Sequence, residues 1–283
     1  MYYIASCKSL GKMAAYHKTG RLHPQINEMF PMPGEIREIP KGIPPMDPTA
    51  KKGELAKIDQ WIRFMSETAA AIYPKEISDK KFLDELRGQI SHMMDYQTEI
   101  HCYCSGAGTP EPNDWVVFTH NNLQVDNAIF YHNDQNDLEV GMLDWGAMGC
   151  GPFVNSIMGG CCSGAQDHIY CEYRDQFNQA AADAYSADGG PKLDVSRMAT
   201  MDDLRVANWV IGLGKNTSAI LKDVKAKDWP SIKSLTDDKI KKSWNAWAWC
   251  SQFNNGLIIY QKLDIYNKFK QWIKDNDLPT QKS

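Results

Sequence analysis

No apolar run in the 283 residues approaches the roughly 18–20 needed to cross a bilayer, so no membrane span is expected. The opening stretch, Met1 to Lys8, has no basic region followed by an apolar one, so no signal peptide is expected in this chain. Excess positive charge is missing too. The 31 Lys and Arg stand against 35 Asp and Glu, a formal net charge of −4, which argues against a broad nucleic-acid surface. The C-x-x-C pairs of zinc sites are absent from the eight cysteines: Cys102 and Cys104 flank Tyr103, Cys161 and Cys162 are adjacent, and the others lie apart. His101 beside Cys102 invites a zinc reading, but irregular spacing favours buried reduced thiols. These place the chain in a reducing compartment, the cytoplasm or an organelle stroma or matrix. No internal repeat is visible.

Hydrophobic residues at 43% and charged residues at 23% suit an ordered globular protein with a substantial core. Leu10, Met13, Ala14 and His17 predict an amphipathic helix ending near Gly20. Prolines from Pro24 to Pro48 then forbid long regular structure, and so long a loop is expected to wrap a surface or make a contact. Helical spacing returns at Leu55, Ile58, Ile62, Met65, Ala69 and Ile72, and Pro74 stops it. Ser78 is the candidate N-cap of a further helix through Phe82, Leu86, Ile90, Met93 and Ile100. β-Branched and aromatic residues predict strands at 115–119, 128–131 and 138–143, the last two a hairpin turning through Asn133 to Asp137. Helices are expected again near 168–185, 201–221 (capped by Thr200), 240–253 and 257–273. The fold class is therefore α+β, mainly α-helical, with a small β insert.

The informative stretch runs from Phe118 to Ile157. It holds His120-Asn121-Asn122 with Asn127 five residues after Asn122, then a hairpin, Leu143-Asp144-Trp145-Gly146 and Gly151-Pro152-Phe153-Val154-Asn155. This resembles the catalytic and metal loops of the aminoglycoside and choline phosphotransferases, small-molecule kinases of the protein-kinase-like superfamily. Their usual form is His-x-Asp, an Asn five residues on, a hairpin, and Asp-Phe/Trp. The order of helices, proline-broken connection, strands and terminal helical block also matches that family's C-lobe. So does the stretch from Tyr173 to Asp194, with Tyr185, Gly189 and Gly190.

The resemblance implies a single C-lobe domain over 1–283. Helices and the proline-rich loop fill 1–114, the degenerate catalytic and metal loops 115–157, and a helical block 158–283. It further implies that Asn127 and Asp144 match Mg²⁺ ligands, that His120 supports the loop, and that Asn122 occupies the position of the catalytic Asp. Asp126 lies four residues from that position and does not replace it. Asn155 falls where the family has an Asp that braces the next helix. An amide accepts no proton at neutral pH, so a general-base contribution of about 10²–10⁴-fold is expected to be lost. Nothing before the first helix resembles an N-lobe sheet, a phosphate-covering loop or its lysine. The expectation is a non-catalytic, pseudokinase-like subunit of a larger protein assembly, whose partner covers an exposed cleft face. The alternative is an ATP- and Mg²⁺-dependent phosphotransferase acting on an amino alcohol, aminoglycoside or sugar hydroxyl with an N-lobe outside this chain. A nucleotide sensor using Asp144 without turnover is a third reading. No cofactor is assigned, with Mg²⁺ and ATP as the candidates.

Trp244, Trp247 and Trp249, with Trp209 and Tyr260, have the composition of an aromatic cage for a quaternary ammonium. Trp244 and Trp247 at i and i+3 are expected instead to pack in the core, with a docking face as the other option. Lys222, Lys225, Lys227, Lys239, Lys241 and Lys242 are expected on solvated helix faces.

Overall fold

Helical spacing organises most of the chain in the computed structural model, which describes residues 1–157 and 165–282. The protein is mainly helical with a small β element. The chain divides into two compact units, Met1–Lys41 with Thr98–Arg205, and Gly42–Gln97 with Val206–Ser283.

In the first unit, α1 (Tyr2–Lys18) buries Leu10, Met13, Ala14 and His17, the face that the periodicity predicts. It packs along α7 (Asp167–Ala187). The approach is close enough that a Cβ on Gly11 would meet the Ala181 carbonyl carbon and the Ala184 Cβ at 3.1 Å each. Within the proline-rich loop a single short turn, α2 (Ile26–Met29), forms. The helix α6 (Gln97–Cys104) follows the second unit's first segment and buries Ile100, Cys102 and Cys104.

Four short strands are described. β1 (Val116–Thr119) is buried throughout and pairs antiparallel with β4 (Gly149–Pro152), with Val116 opposite Pro152 and Thr119 opposite Gly149. β2 (Ala128–His132) and β3 (Leu138–Met142) form the expected hairpin, with Ala128 opposite Met142 and His132 opposite Leu138. β4 is the strand that the sequence conceals. Gly149-Cys150-Gly151-Pro152 has no β-branched residue, and only pairing with β1 makes it extended.

The second unit is built on aromatic packing. α3 (Pro48–Arg63) starts with Asp47 capping the N–H groups of Thr49 and Ala50 and with Pro48 at its first position. It continues as a wide turn, Phe64–Thr68, and ends before Pro74. Trp61 and Phe64 meet Phe253 edge-on at 5.8 and 6.3 Å. Those residues bring α3 against α11 (Trp244–Lys262).

Several boundaries differ from expectation. Ser78 closes the short α4 (Lys75–Ser78), and Asp79 caps α5 (Lys80–Met94) by accepting from the Phe82 N–H. The next helix begins at Val195, not Met201, so Thr200 lies inside α8 (Val195–Gly212), its hydroxyl directed at the Ser196 carbonyl. Asp194 accepts from the Ser196 N–H and marks the real start. A 3₁₀ turn separates α8 from α9 (Thr217–Asp223). After the single turn of α10 (Asp238–Lys241), α11 runs unbroken through 254–256. The break before α12 (Ile265–Asp275) is at Asp264, held at φ 51°. Trp244 and Trp247 are not core residues: their exposures are 63% and 37%. Cys161 and Cys162 lie outside the described residues.

Candidate functional site

The candidate loop hangs between two strand ends of the first unit. Thr119 closes β1 with its hydroxyl donated to the Gly149 carbonyl at 3.0 Å. The next residue, His120, is fully buried. Its Nε2–H donates to the Leu143 carbonyl at 2.7 Å, which leaves Nδ1 as an acceptor facing the Asn122 N–H at 3.4 Å. The Trp145 ring stands edge-on to the imidazole at 4.7 Å. His120 thus fastens the loop after β1 to the residue preceding Asp144. Asn121 turns the chain with φ 54°, and its amide donates to the Ala147 carbonyl at 3.0 Å.

Asn122 is held on several sides. Its carbonyl accepts from the Gln124 N–H at 2.9 Å and from the Asn127 side-chain amide at 2.8 Å. Its side-chain Oδ1 accepts from Gln124 Nε2 at 2.5 Å. Asn127 is nearly buried, and its own carbonyl accepts from the Leu143 N–H at 2.8 Å. That bond extends the hairpin by one pair beyond Ala128–Met142, and so it sets Asp144 one residue past the partner of Asn127. The fold therefore gathers His120, Asn122, Asn127 and Asp144 around one loop.

Asp144 is exposed, in the left-handed region at φ 53° and ψ 68°. One carboxylate oxygen lies where a Cβ on Gly146 would be 3.5 Å away. Neither the Asp144 carboxylate nor the Asn127 Oδ1 has a hydrogen-bond partner among the described residues. One carboxylate and one amide oxygen are a donor set that could hold Mg²⁺ only with phosphate oxygens and water completing the octahedron. Among the described residues no group of three or more His, Cys, Asp or Glu gathers as a metal cluster. Asp126 is exposed, on the turn before Asn127.

Asn155, which falls where the resembling family has a helix-bracing Asp, has its Oδ1 buried without a hydrogen bond, and the hydroxyl of Ser156 is likewise buried and unbonded. Residues 158–164, which follow them, lie outside the described residues.

A second polar constellation, not anticipated from sequence, is His17 with Asn27 and Cys150. The residue types are those of a nucleophile, a base and an orienting amide, but the bonds are not. His17 Nδ1 accepts from the Phe118 N–H at 3.2 Å, and Nε2–H donates to the Asn27 Oδ1 at 3.0 Å. Cys150 donates its thiol to the Phe30 carbonyl at 3.3 Å and sits 3.8 Å from Nε2. No imidazole lone pair faces the thiol, and burial pushes the Cys150 thiol up, away from the reactive thiolate. Burial also lowers the His17 pKa, as suits a neutral ring accepting a backbone N–H. This trio ties α1 and the proline-rich loop to β1. The available sequence signal was a histidine on the buried face of an otherwise apolar helix.

No protein-family model matches the chain, and no curated protein or solved structure matches it either.

Proposed function

We propose that this chain is a non-catalytic protein of kinase-like descent that serves as a binding or scaffolding subunit of a larger assembly. The observation that carries the reading is Asn122. At the position where the resembling enzymes need a carboxylate base stands an amide, and its oxygen is already engaged by Gln124 at 2.5 Å. An amide so placed neither takes a proton from an attacking hydroxyl nor changes charge with pH. The loop keeps a defined shape through neutral amide–carbonyl bonds. On the hairpin and the segment that follows it, Ile129, Tyr131, Leu143 and Met148 stand exposed at 53%, 47%, 44% and 39%. Large exposed apolar side chains are what a partner surface covers.

The test is isolation of the protein at native size from its source, with identification of what co-migrates in fixed ratio. Recovery in a stable assembly, with no ATP turnover on amino alcohols or sugars, is the expected result. Free protein that transfers phosphate from Mg²⁺-ATP would overturn it.

A second reading, nucleotide binding without turnover, is favoured by the unpartnered Asp144 carboxylate. It predicts Mg²⁺-dependent ATP affinity that Asp144→Ala abolishes while the melting temperature stays put. Titration of both proteins by calorimetry separates it from a purely structural loop.

A further inference from the structure

Trp244 and Trp247 form an exposed pair at the start of α11, with ring centroids 5.3 Å apart and planes tilted by 45°. The adjacent face of the helix is anchored, since Ala246 and Cys250 are fully buried. Ser243 caps the helix by accepting from the Ala246 N–H at 3.1 Å and donates its own hydroxyl to Asp223 at 2.5 Å. The two indoles are therefore displayed from a fixed helix end rather than from a loose segment. Neither indole N–H has a hydrogen-bond partner among the described residues.

The surrounding charge has one dominant sign. Residues 222–242 hold seven lysines against four aspartates, in a chain whose net charge is −4. Two of those aspartates are committed to local structure, Asp223 to Ser243 and Asp237 to the Lys239 N–H. Two of the lysines are likewise engaged, Lys233 with the Pro230 carbonyl and Lys239 with Ser231. Lys222, Lys225, Lys227, Lys241 and Lys242 are exposed and have no hydrogen-bond or ion-pair partner among the described residues. The bond between Ser243 and Asp223 brings the end of α9, where Lys222 sits, to the first turn of α11.

We propose that this patch docks on an anionic lipid surface, with the indoles at headgroup depth and the lysines facing the lipid phosphates. Indole is suited to that depth because its ring is apolar while its N–H needs an acceptor, and headgroup oxygens provide acceptors in any direction. Lysine adds long-range attraction to anionic lipid, about fivefold in partitioning for each residue near the surface. This arrangement requires no span, and among the described residues no helix is long and apolar enough to cross a membrane. It stands independently of the function proposed above.

The experiment is flotation of the whole protein with vesicles of phosphatidylcholine alone and of phosphatidylcholine and phosphatidylserine in equal parts, at low and high salt. Binding is expected to the anionic vesicles only, and to weaken as salt rises. The Trp244→Ala/Trp247→Ala variant should bind at least tenfold more weakly, and Lys241→Glu/Lys242→Glu should lose binding by more than that. All four side chains are exposed, so both variants are expected to melt with the wild type, which separates lost docking from lost folding. Absence of binding to anionic vesicles at low salt, or binding that neither variant weakens, overturns the proposal. Concentration-dependent self-association that the tryptophan variant abolishes, without vesicle binding, also overturns it and assigns the patch to protein contact.

Discussion

Gly11 lies against the backbone of α7, and its replacement by alanine separates intrinsic helix preference from packing. On propensity alone the change should stabilise α1 by about 1 kcal/mol, since glycine is the weaker helix former. The structure predicts the opposite. A Cβ at that position collides with the carbonyl oxygen of Ala181 and comes within 3.1 Å of its carbonyl carbon and of the Ala184 Cβ. The first two are backbone atoms of a 21-residue helix, so no side-chain rotation relieves the clash. The two helices must move apart, which loosens the packing of the buried face of α1. Overpacking of this kind costs about 1–3 kcal/mol or somewhat more. Set against the propensity gain, Gly11→Ala should lower stability by up to roughly 2 kcal/mol, and Gly11→Leu by considerably more. Gly53 and Gly88 are the controls: both lie in exposed helix with nothing within 4 Å of a new Cβ. Alanine there should stabilise by roughly 0.5–1 kcal/mol. Urea unfolding followed by circular dichroism reads all three. A Gly11→Ala protein as stable as the Gly53→Ala protein would refute the close approach of α1 and α7.

Burial pushes the carboxyl of Asp202 up to about 7, and although Asn178 donates to its Oδ2, its Oδ1 has no partner. A raised carboxyl pKa means that the folded state binds the proton more tightly than the unfolded chain, so the stability this group contributes is fully present below its ordinary 3.8 and is lost as pH rises through about 7. Asp202→Asn should therefore stabilise the protein at pH 8, by at most roughly 4 kcal/mol, with the gain fading as pH falls; equal melting shifts at pH 5 and 8 would refute this. His17 works in the other sense: its lowered pKa means that stability is complete above the ordinary 6.5 and declines as pH falls below it. Against His17→Gln, the wild type should lose more stability between pH 7 and 5, read from denaturant midpoints. Removing the buried clasp in His120→Ala strands the Leu143 carbonyl and should destabilise the first unit by about 2–3 kcal/mol, seen as a lower melting temperature.

What is legible in the sequence is periodicity. α1, α7, the hairpin and the aromatic face of α3 follow from residue spacing because burial on one face is recorded directly in the order of apolar residues. Helix starts are legible only where a capping side chain is weighed against its neighbours. Ser78 and Thr200 mislead because Asp79 and Asp194, one and six residues away, present carboxylates to the N–H groups that matter. β4 is concealed because its conformation comes from its partner strand. Trp244 and Trp247 have the spacing of one helical face, and spacing does not say which face is covered. The core takes Ala246 and Cys250 instead, smaller residues four apart on the adjacent face of the same helix.

The loop around Asn122 is legible as a pattern, and its geometry adds what an amide does at that position. A carboxylate at Asn122 could still accept from Gln124, but it would add a second full negative charge to the loop that carries the unpartnered Asp144 carboxylate. In a phosphotransferase, bound metal and phosphate-binding cations offset such a pair. In this chain the loop is held by its own groups: Asn122 receives an amide from Gln124 and one from Asn127, and His120 fastens the opposite end to Leu143. A loop that is satisfied by its own neutral groups keeps its shape whether or not a nucleotide binds. On the function proposed, that is the property selected, since a docking surface must be formed before its partner arrives. Asn122→Asp then has a defined outcome: it should lower stability in the absence of Mg²⁺ and leave phosphoryl transfer undetectable in its presence.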